Sequence, residues 1–296
     1  MASTQSKLFN LLLRLVNKKR YLRRQLISGK PSFFDRPEPT RRVKRTCRIQ
    51  KFRVNGRNVF TLAPKNKPAG NKHILYLHGG AYVQNFNIFH WRFLAQLVQT
   101  TGCSITAPDY PYAPAYSYQA AFDMVSKLYR QLISKIDPND FILMGDSAGG
   151  GFALALAQKM RDENIVQANR IILLSPWLDI TLTNPGIAGI EPNDRFLDKQ
   201  SLMQAGQLYA GDTDRAHYLL SPVNGSLNGL GRISVFMGSK DILAADTRKL
   251  AGIAAASGIK LDYYEYEDMA HAWMFLNFPE SKKAKRQIFD LVQQSI

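Results

Sequence analysis

The sequence predicts an α/β fold built on a mostly parallel sheet with helices on both faces. Three observations carry that expectation. Short, nearly continuous apolar runs recur at residues 73–77, 103–107, 141–144, 171–174 and 233–237, the pattern of strands buried on both sides. Longer stretches with helical periodicity alternate with them, as a sheet covered by crossover helices requires. A chain of 296 residues, 45% of them hydrophobic, is long enough to bury one large core of this kind.

Residues 1–45 are read as a separate basic helical segment that caps a main domain, residues 46–296. Leu8, Leu11, Leu12, Leu15 and Val16 recur at helical spacing among Lys and Arg, which predicts an amphipathic helix. Arg14 interrupts the apolar run and Lys18-Lys19-Arg20 follow it, so it is too short to span a bilayer. It also lacks the small-residue cleavage site of a signal peptide. Packing over the main domain's ligand-binding edge is favoured over lying on a membrane.

Next come two β-type runs, 46–54 and 59–62, joined by Asn55-Gly56, a strong hairpin signal. From there the buried strands alternate with predicted helices at 89–99, 118–133, 148–162, 244–257 and 281–294. The interval of about 181–230 breaks the rhythm with Pro185, Pro192 and Pro222, six glycines and no clear strand. It reads as an insertion over the carboxyl edge of the sheet, where such folds place their ligands.

The net charge of +16 is unevenly placed. Residues 1–72 hold 20 Lys and Arg against Asp35 and Glu38 alone, whereas the remainder holds 19 bases and 21 acids. No zinc-finger spacing or aromatic RNA-binding motif accompanies the basic part, so no nucleic-acid partner is expected. A weak contact with an anionic membrane remains open. Cys47 and Cys103 are too few for a disulfide framework and lack metal-site spacing, which points to a reducing cytoplasm.

The chemistry concentrates at Gly145-Asp146-Ser147-Ala148-Gly149, a G-x-S-x-G run between a strand and a helix. A serine projecting from so sharp a turn has no room for side chains two residues to either side, and Gly145 and Gly149 remove them. The helix beginning near Ala148 aims its amides at negative charge developing on a substrate oxygen. Seventy residues upstream, another strand ends in His78-Gly79-Gly80-Ala81-Tyr82. The N–H groups of Gly79, Gly80 and Ala148 are assigned to an oxyanion hole, each donor contributing on the order of 3 kcal/mol. His78 is read as a residue that organises this loop.

Serine needs an imidazole to take its proton and a carboxylate to fix the imidazole tautomer. The turn motif goes with the chain order Ser, acid, His, which leaves His217 and His271 among the histidines. His217 falls in the insertion. His271 follows a strand-like run and precedes the last helix, so it is the expected base. Asp241, at the tip of the strand before it, is the expected acid. Asp246 lies one turn into a helix, and Glu265, Glu267 and Asp268 are too close along the chain to His271.

Together these residues resemble the hormone-sensitive-lipase-like family of α/β-hydrolases over most of residues 57–280. The matching pieces are His78 to Tyr82, Asp109-Tyr-Pro-Tyr-Ala-Pro114 with Asp123, Gly145 to Gly150, Ser175-Pro-Trp-Leu-Asp179, Asp241 and His271. The resemblance implies an α/β-hydrolase fold and a serine carboxylesterase that cleaves small-molecule esters through an acyl-enzyme. It also implies no metal or cofactor, and a cap built from the N-terminus and the insertion. Ala81 replaces a third glycine, Ala115 an acidic residue and Gly151 an asparagine, changes that bear on pocket shape. Tyr82, Phe86, Phe89, Trp91, Phe196 and Tyr209 are candidates to line an apolar pocket. A deacetylase or other acyl hydrolase with the same machinery, and a ligand binder without catalysis, are the competing readings. Acyl preference and oligomeric state, a dimer included, are left open.

Overall fold

The computed structural model describes residues 3–15, 34–66 and 68–294. The strands are β1 (Cys47–Val54), β2 (Arg57–Pro64), β3 (His73–Leu77), β4 (Ser104–Pro108), β5 (Phe141–Asp146), β6 (Arg170–Leu174), β7 (Arg232–Gly238) and β8 (Leu261–Tyr266). They form one sheet in the order β1-β2-β4-β3-β5-β6-β7-β8. β1 pairs with β2, and β2 with β4, in antiparallel fashion; every other pair is parallel.

The apolar runs are continuous because the sheet is covered on both faces. Along β5, Phe141 and Leu143 enter one core while Ile142 and Met144 enter the other, as the two-residue repeat of a strand dictates. Helices α3 (Ile88–Thr101) and α9 (Pro279–Gln293) bury Leu94, Leu97, Ile288 and Phe289 against one face. Helices α4 (Tyr118–Ile133), α5 (Ala148–Asp162) and α8 (Ala244–Ala256) bury Phe122, Leu128, Phe152, Leu156 and Leu250 against the other. The β1–β2 hairpin turns on Asn55 and Gly56, with φ of 47° and 77°, the pair of positive angles that a two-residue turn of matching twist needs.

Three elements went unassigned in the sequence. Helix α2 (Arg41–Thr46) is a single short piece capped by Thr40. The insertion contains α6 (Ile187–Ile190) and α7 (Lys199–Ala210) and no strand. In α7 the buried set Ser201, Leu202, Ala205, Gly206, Tyr209 and Ala210 has helical spacing, but only Leu202 and Tyr209 are large enough to stand out in a hydrophobicity pattern.

The N-terminal helix α1 (Thr4–Leu15) forms as expected, yet Leu8, Leu11 and Leu12 of its leucine stripe do not form its buried face. The N–H and hydroxyl of Ser3 donate to Glu280, Ser6 is buried against Met269, and Leu13 faces the interior cavity. Leu8, Leu11 and Leu12 stay 56%, 50% and 49% exposed. Val16 and Lys18-Lys19-Arg20 lie outside the described residues.

Candidate active site

Four loops at the carboxyl ends of parallel strands converge, as the position of ligand sites in open α/β sheets requires. The turn after β5 supplies Ser147, which has φ 52° and ψ −123°. Such a backbone costs about 1–3 kcal/mol for a residue other than glycine and must be held by its surroundings. The Ser147 N–H donates to the Leu174 carbonyl, and the Ser147 carbonyl accepts from the amides of Gly150, Gly151 and Trp177. A Cβ on Gly145 would strike the Gly149 carbonyl, and one on Gly149 would strike the Leu77 carbonyl. The glycine spacing thus follows from how tightly the turn passes between β3 and α5.

The turns after β7 and β8 bring Asp241 and His271 to this serine. His271 Nδ1 lies 2.6 Å from Asp241 Oδ2, and its Nε2 lies 2.9 Å from Ser147 Oγ. A carboxylate can only accept, so Nδ1 carries the proton and Nε2 is free to receive one from the hydroxyl. Asp241 is fully buried, its other oxygen accepting from the Leu243 N–H at 3.0 Å. Burial pushes the imidazole pKa down, but the charge and hydrogen bond of Asp241 outweigh it and hold the pKa above the ordinary value.

The loop after β3 departs from expectation at one residue. The Gly79 N–H donates to Asp146 Oδ1 at 2.9 Å, so this amide points into the protein and is not available to a substrate oxygen. Gly80 and Ala81 line the cavity beside Ser147. Among the described residues none accepts a hydrogen bond from the N–H of Gly80, Ala81 or Ala148. Asp146 is the knot of this region. It also accepts from the Tyr76 hydroxyl at 2.5 Å and lies 3.2 Å from His90 Nε2. Since His90 Nδ1 accepts from the Asn87 N–H, Nε2 is the protonated nitrogen that faces Asp146. Burial raises the Asp146 pKa, and His90, Tyr76 and Gly79 more than reverse this, leaving it below the usual carboxylate range. Sequence reasoning missed Tyr76 and His90, because neither adjoins a motif residue in the chain.

The remaining candidates sort clearly. His78 is clamped between Tyr110 (4.3 Å, stacked) and Phe86 (4.2 Å), donates from Nδ1 to the Gly79 carbonyl at 2.7 Å, and is pushed by burial to a pKa of about 3. It is a neutral brace for the glycine loop. Asp246 binds Asn184 and His217 accepts from the Leu219 N–H, neither reaching the serine. Of the aromatic candidates, Phe89 and Phe196 line the cavity, whereas Tyr82, Phe86, Trp91 and Tyr209 are packed in the core. The cavity, about 360 Å³, is otherwise walled mainly by apolar side chains, among them Leu13, Phe34, Val83, Leu202 and Phe275. Among the described residues no group of three or more His, Cys, Asp or Glu is placed to hold a metal ion.

Residues 74–275 match the model of a family described as alpha/beta hydrolase fold. The chain belongs to that family. This α/β-hydrolase is 30% identical over 228 residues to an esterase of Acinetobacter venetianus, covering 76% of this chain and 75% of the relative. It is 30% identical over 214 residues to an acetyl-hydrolase of Streptomyces hygroscopicus, covering 71% and 72%. A crystal structure of an esterase from the bacterial hormone-sensitive lipase family superposes with a TM-score of 0.83 at 26% identity over the whole of both chains. This α/β-hydrolase is therefore a carboxylic ester hydrolase of the general kind those relatives represent, related to the hormone-sensitive-lipase-like esterases.

Proposed function

We propose that Ser147, His271 and Asp241 form the catalytic triad of an esterase for small molecules with short to medium acyl chains. The observation that carries this reading is the unbroken line from Asp241 through His271 to Ser147, opening on an apolar cavity. Ser147 Oγ attacks the ester carbonyl as His271 Nε2 takes its proton, and Asp241 stabilises the resulting imidazolium. The amides of Gly80, Ala81 and Ala148 receive the oxyanion, with Asp146 fixing the loop through Gly79. His271 then protonates the departing alcohol, and in the second half it activates water against the acyl-enzyme.

The cavity lies at the lower end of the range for small-molecule sites, which supports compact substrates. A series of p-nitrophenyl esters from acetate to palmitate tests this: kcat/KM is expected to hold through the short and medium chains and to drop at the long ones, and a maximum at palmitate contradicts it. Acetylated sugars in the same panel address the acetyl-hydrolase reading, which rests on the Streptomyces relative's name.

Residues 1–45 and about 181–230 together serve as the cap, since Leu13 and Phe34 from the first and Phe196, Leu197 and Leu202 from the second face one cavity. The outer face of α1 supports a weak contact with an anionic lipid surface. Leu8, Leu11 and Leu12 are exposed at i, i+3 and i+4, within a segment whose charges are nearly all positive. Cosedimentation with phosphatidylcholine vesicles containing phosphatidylglycerol should exceed that with phosphatidylcholine alone and fall with added salt. Changing Leu8, Leu11 and Leu12 together to Ser should remove it while sparing hydrolysis of soluble esters; equal binding before and after sinks the contact. No described helix is long and apolar enough to cross a membrane. The two cysteines, both free and buried, support a cytoplasmic setting.

A further inference from the structure

One fully buried carboxylate beside the triad has no part in the mechanism above. Asp194 belongs to the insertion, five residues before α7, and has no exposed surface. Its Oδ1 accepts from the N–H groups of Phe196 at 2.7 Å and Leu197 at 2.9 Å. Its Oδ2 accepts from the Ile242 N–H at 2.9 Å. Ile242 is the neighbour of Asp241, and the Phe196 ring sits 5.5 Å from the His271 ring.

A carboxylate with three N–H donors spread over two segments has one position that satisfies all of them. We propose that Asp194 is a positioning residue for the triad, tying the cap to the Asp241 turn so that Phe196 and Asp241 hold the His271 imidazole from two sides. This rests on the triad reading above. The physical cause is geometric. The turn that carries Asp241 is braced within itself by the Leu243 N–H to Asp241 Oδ1 bond and the Asp241 N–H to Gly238 carbonyl bond, and on the side of the His271 loop by the Ser239 and Lys240 N–H groups donating to the Tyr266 and Met269 carbonyls. Asp194 supplies the link from the cap, at Ile242, and in the same act seats the Phe196–Leu197 strip that walls the cavity.

Holding a carboxylate here has an electrostatic consequence. Burial and the nearby charge of Asp241 push Asp194 up to a pKa of about 6. Asp241, Asp194 and Asp146 are the carboxylates that favour the charged form of His271. Within its own segment the flanking charged residues are Arg195, which is exposed, and Asp198, whose carboxylate caps α7 by accepting from Ser201. When ionised, Asp194 helps keep the imidazole pKa high.

The test is Asp194→Asn assayed on p-nitrophenyl acetate. An asparagine can still accept from Phe196 and Leu197 but presents an amide to the Ile242 N–H. The expected result is a loss in kcat on the order of 10-fold with a smaller change in KM, and an acid limb of kcat/KM displaced to lower pH, because a negative charge near the imidazole is gone. Active-site titration with a fluorophosphonate normalises both to folded enzyme. If Asp194 only stabilises the fold, Tm falls while kcat per titrated site and the acid limb stay in place, and the proposal is overturned. Should that variant fail to fold, Asp194→Glu, which keeps the charge but displaces the carboxylate, still decides: kcat per titrated site is expected to fall while the acid limb stays in place, and an unchanged kcat overturns the proposal. Loss of all activity in unaltered enzyme would instead indict the triad reading itself.

Discussion

Ser147→Ala is expected to leave a folded protein with no measurable acyl-enzyme turnover. The hydroxyl is the only atom group removed, and among the described residues its one bond is to His271 Nε2. The backbone ties that hold the strained turn come from the N–H and carbonyl of residue 147 and persist in alanine. Alanine bears the same backbone strain as serine, so Tm should change little. What remains of catalysis is the contribution of the oxyanion donors and substrate binding, roughly 10³–10⁴-fold over water in enzymes of this design. The check is steady-state hydrolysis of p-nitrophenyl acetate alongside thermal unfolding of both proteins. Undiminished hydrolysis by the variant would place the nucleophile elsewhere.

The second large effect is Asp241→Asn, for which kcat should fall about 10³–10⁴-fold with the fold preserved. Its amide nitrogen, turned toward His271, donates where a carboxylate accepts and forces the wrong tautomer. The proton then sits on Nε2 and faces the serine hydroxyl, which cannot be activated. The same charge governs the pH profile. Asp241 raises the His271 pKa in spite of burial, and the base must be neutral to work. Activity of the native enzyme should therefore be lost as pH falls through a value above the ordinary imidazole one, and in Asp241→Asn that limb should move to lower pH. A pH–rate profile of kcat/KM reads both, and a limb unmoved by the substitution contradicts the coupling.

What could be read from the sequence was what depends on neighbours in the chain. The turn around Ser147 is legible because its steric demand falls on positions two residues away, and α4 and α5 because their apolar faces repeat within one helix. His271 and Asp241 were singled out by chain order and strand ends, and the structure brings both to Ser147. The Gly79 error has the opposite origin. Which of three consecutive amides faces the substrate is decided by Asp146, 67 residues further on, and nothing in the glycine run itself reports it. Leu8, Leu11 and Leu12 misled for a related reason: their spacing is amphipathic, but Ser6 packs another side of α1 on Met269 and Ser3, just before the helix, is bonded to Glu280. Asp194 was silent because its donors are backbone amides, which carry no residue identity.

The proposed triad depends on one serine being activated by one imidazole. Labelling the native enzyme with a fluorophosphonate, followed by peptide mapping, tests this most directly. One label per chain is expected on the peptide containing Ser147, and none in His271→Ala under the same conditions. A label on another residue, or full ester hydrolysis by an enzyme that takes up no label, would contradict it.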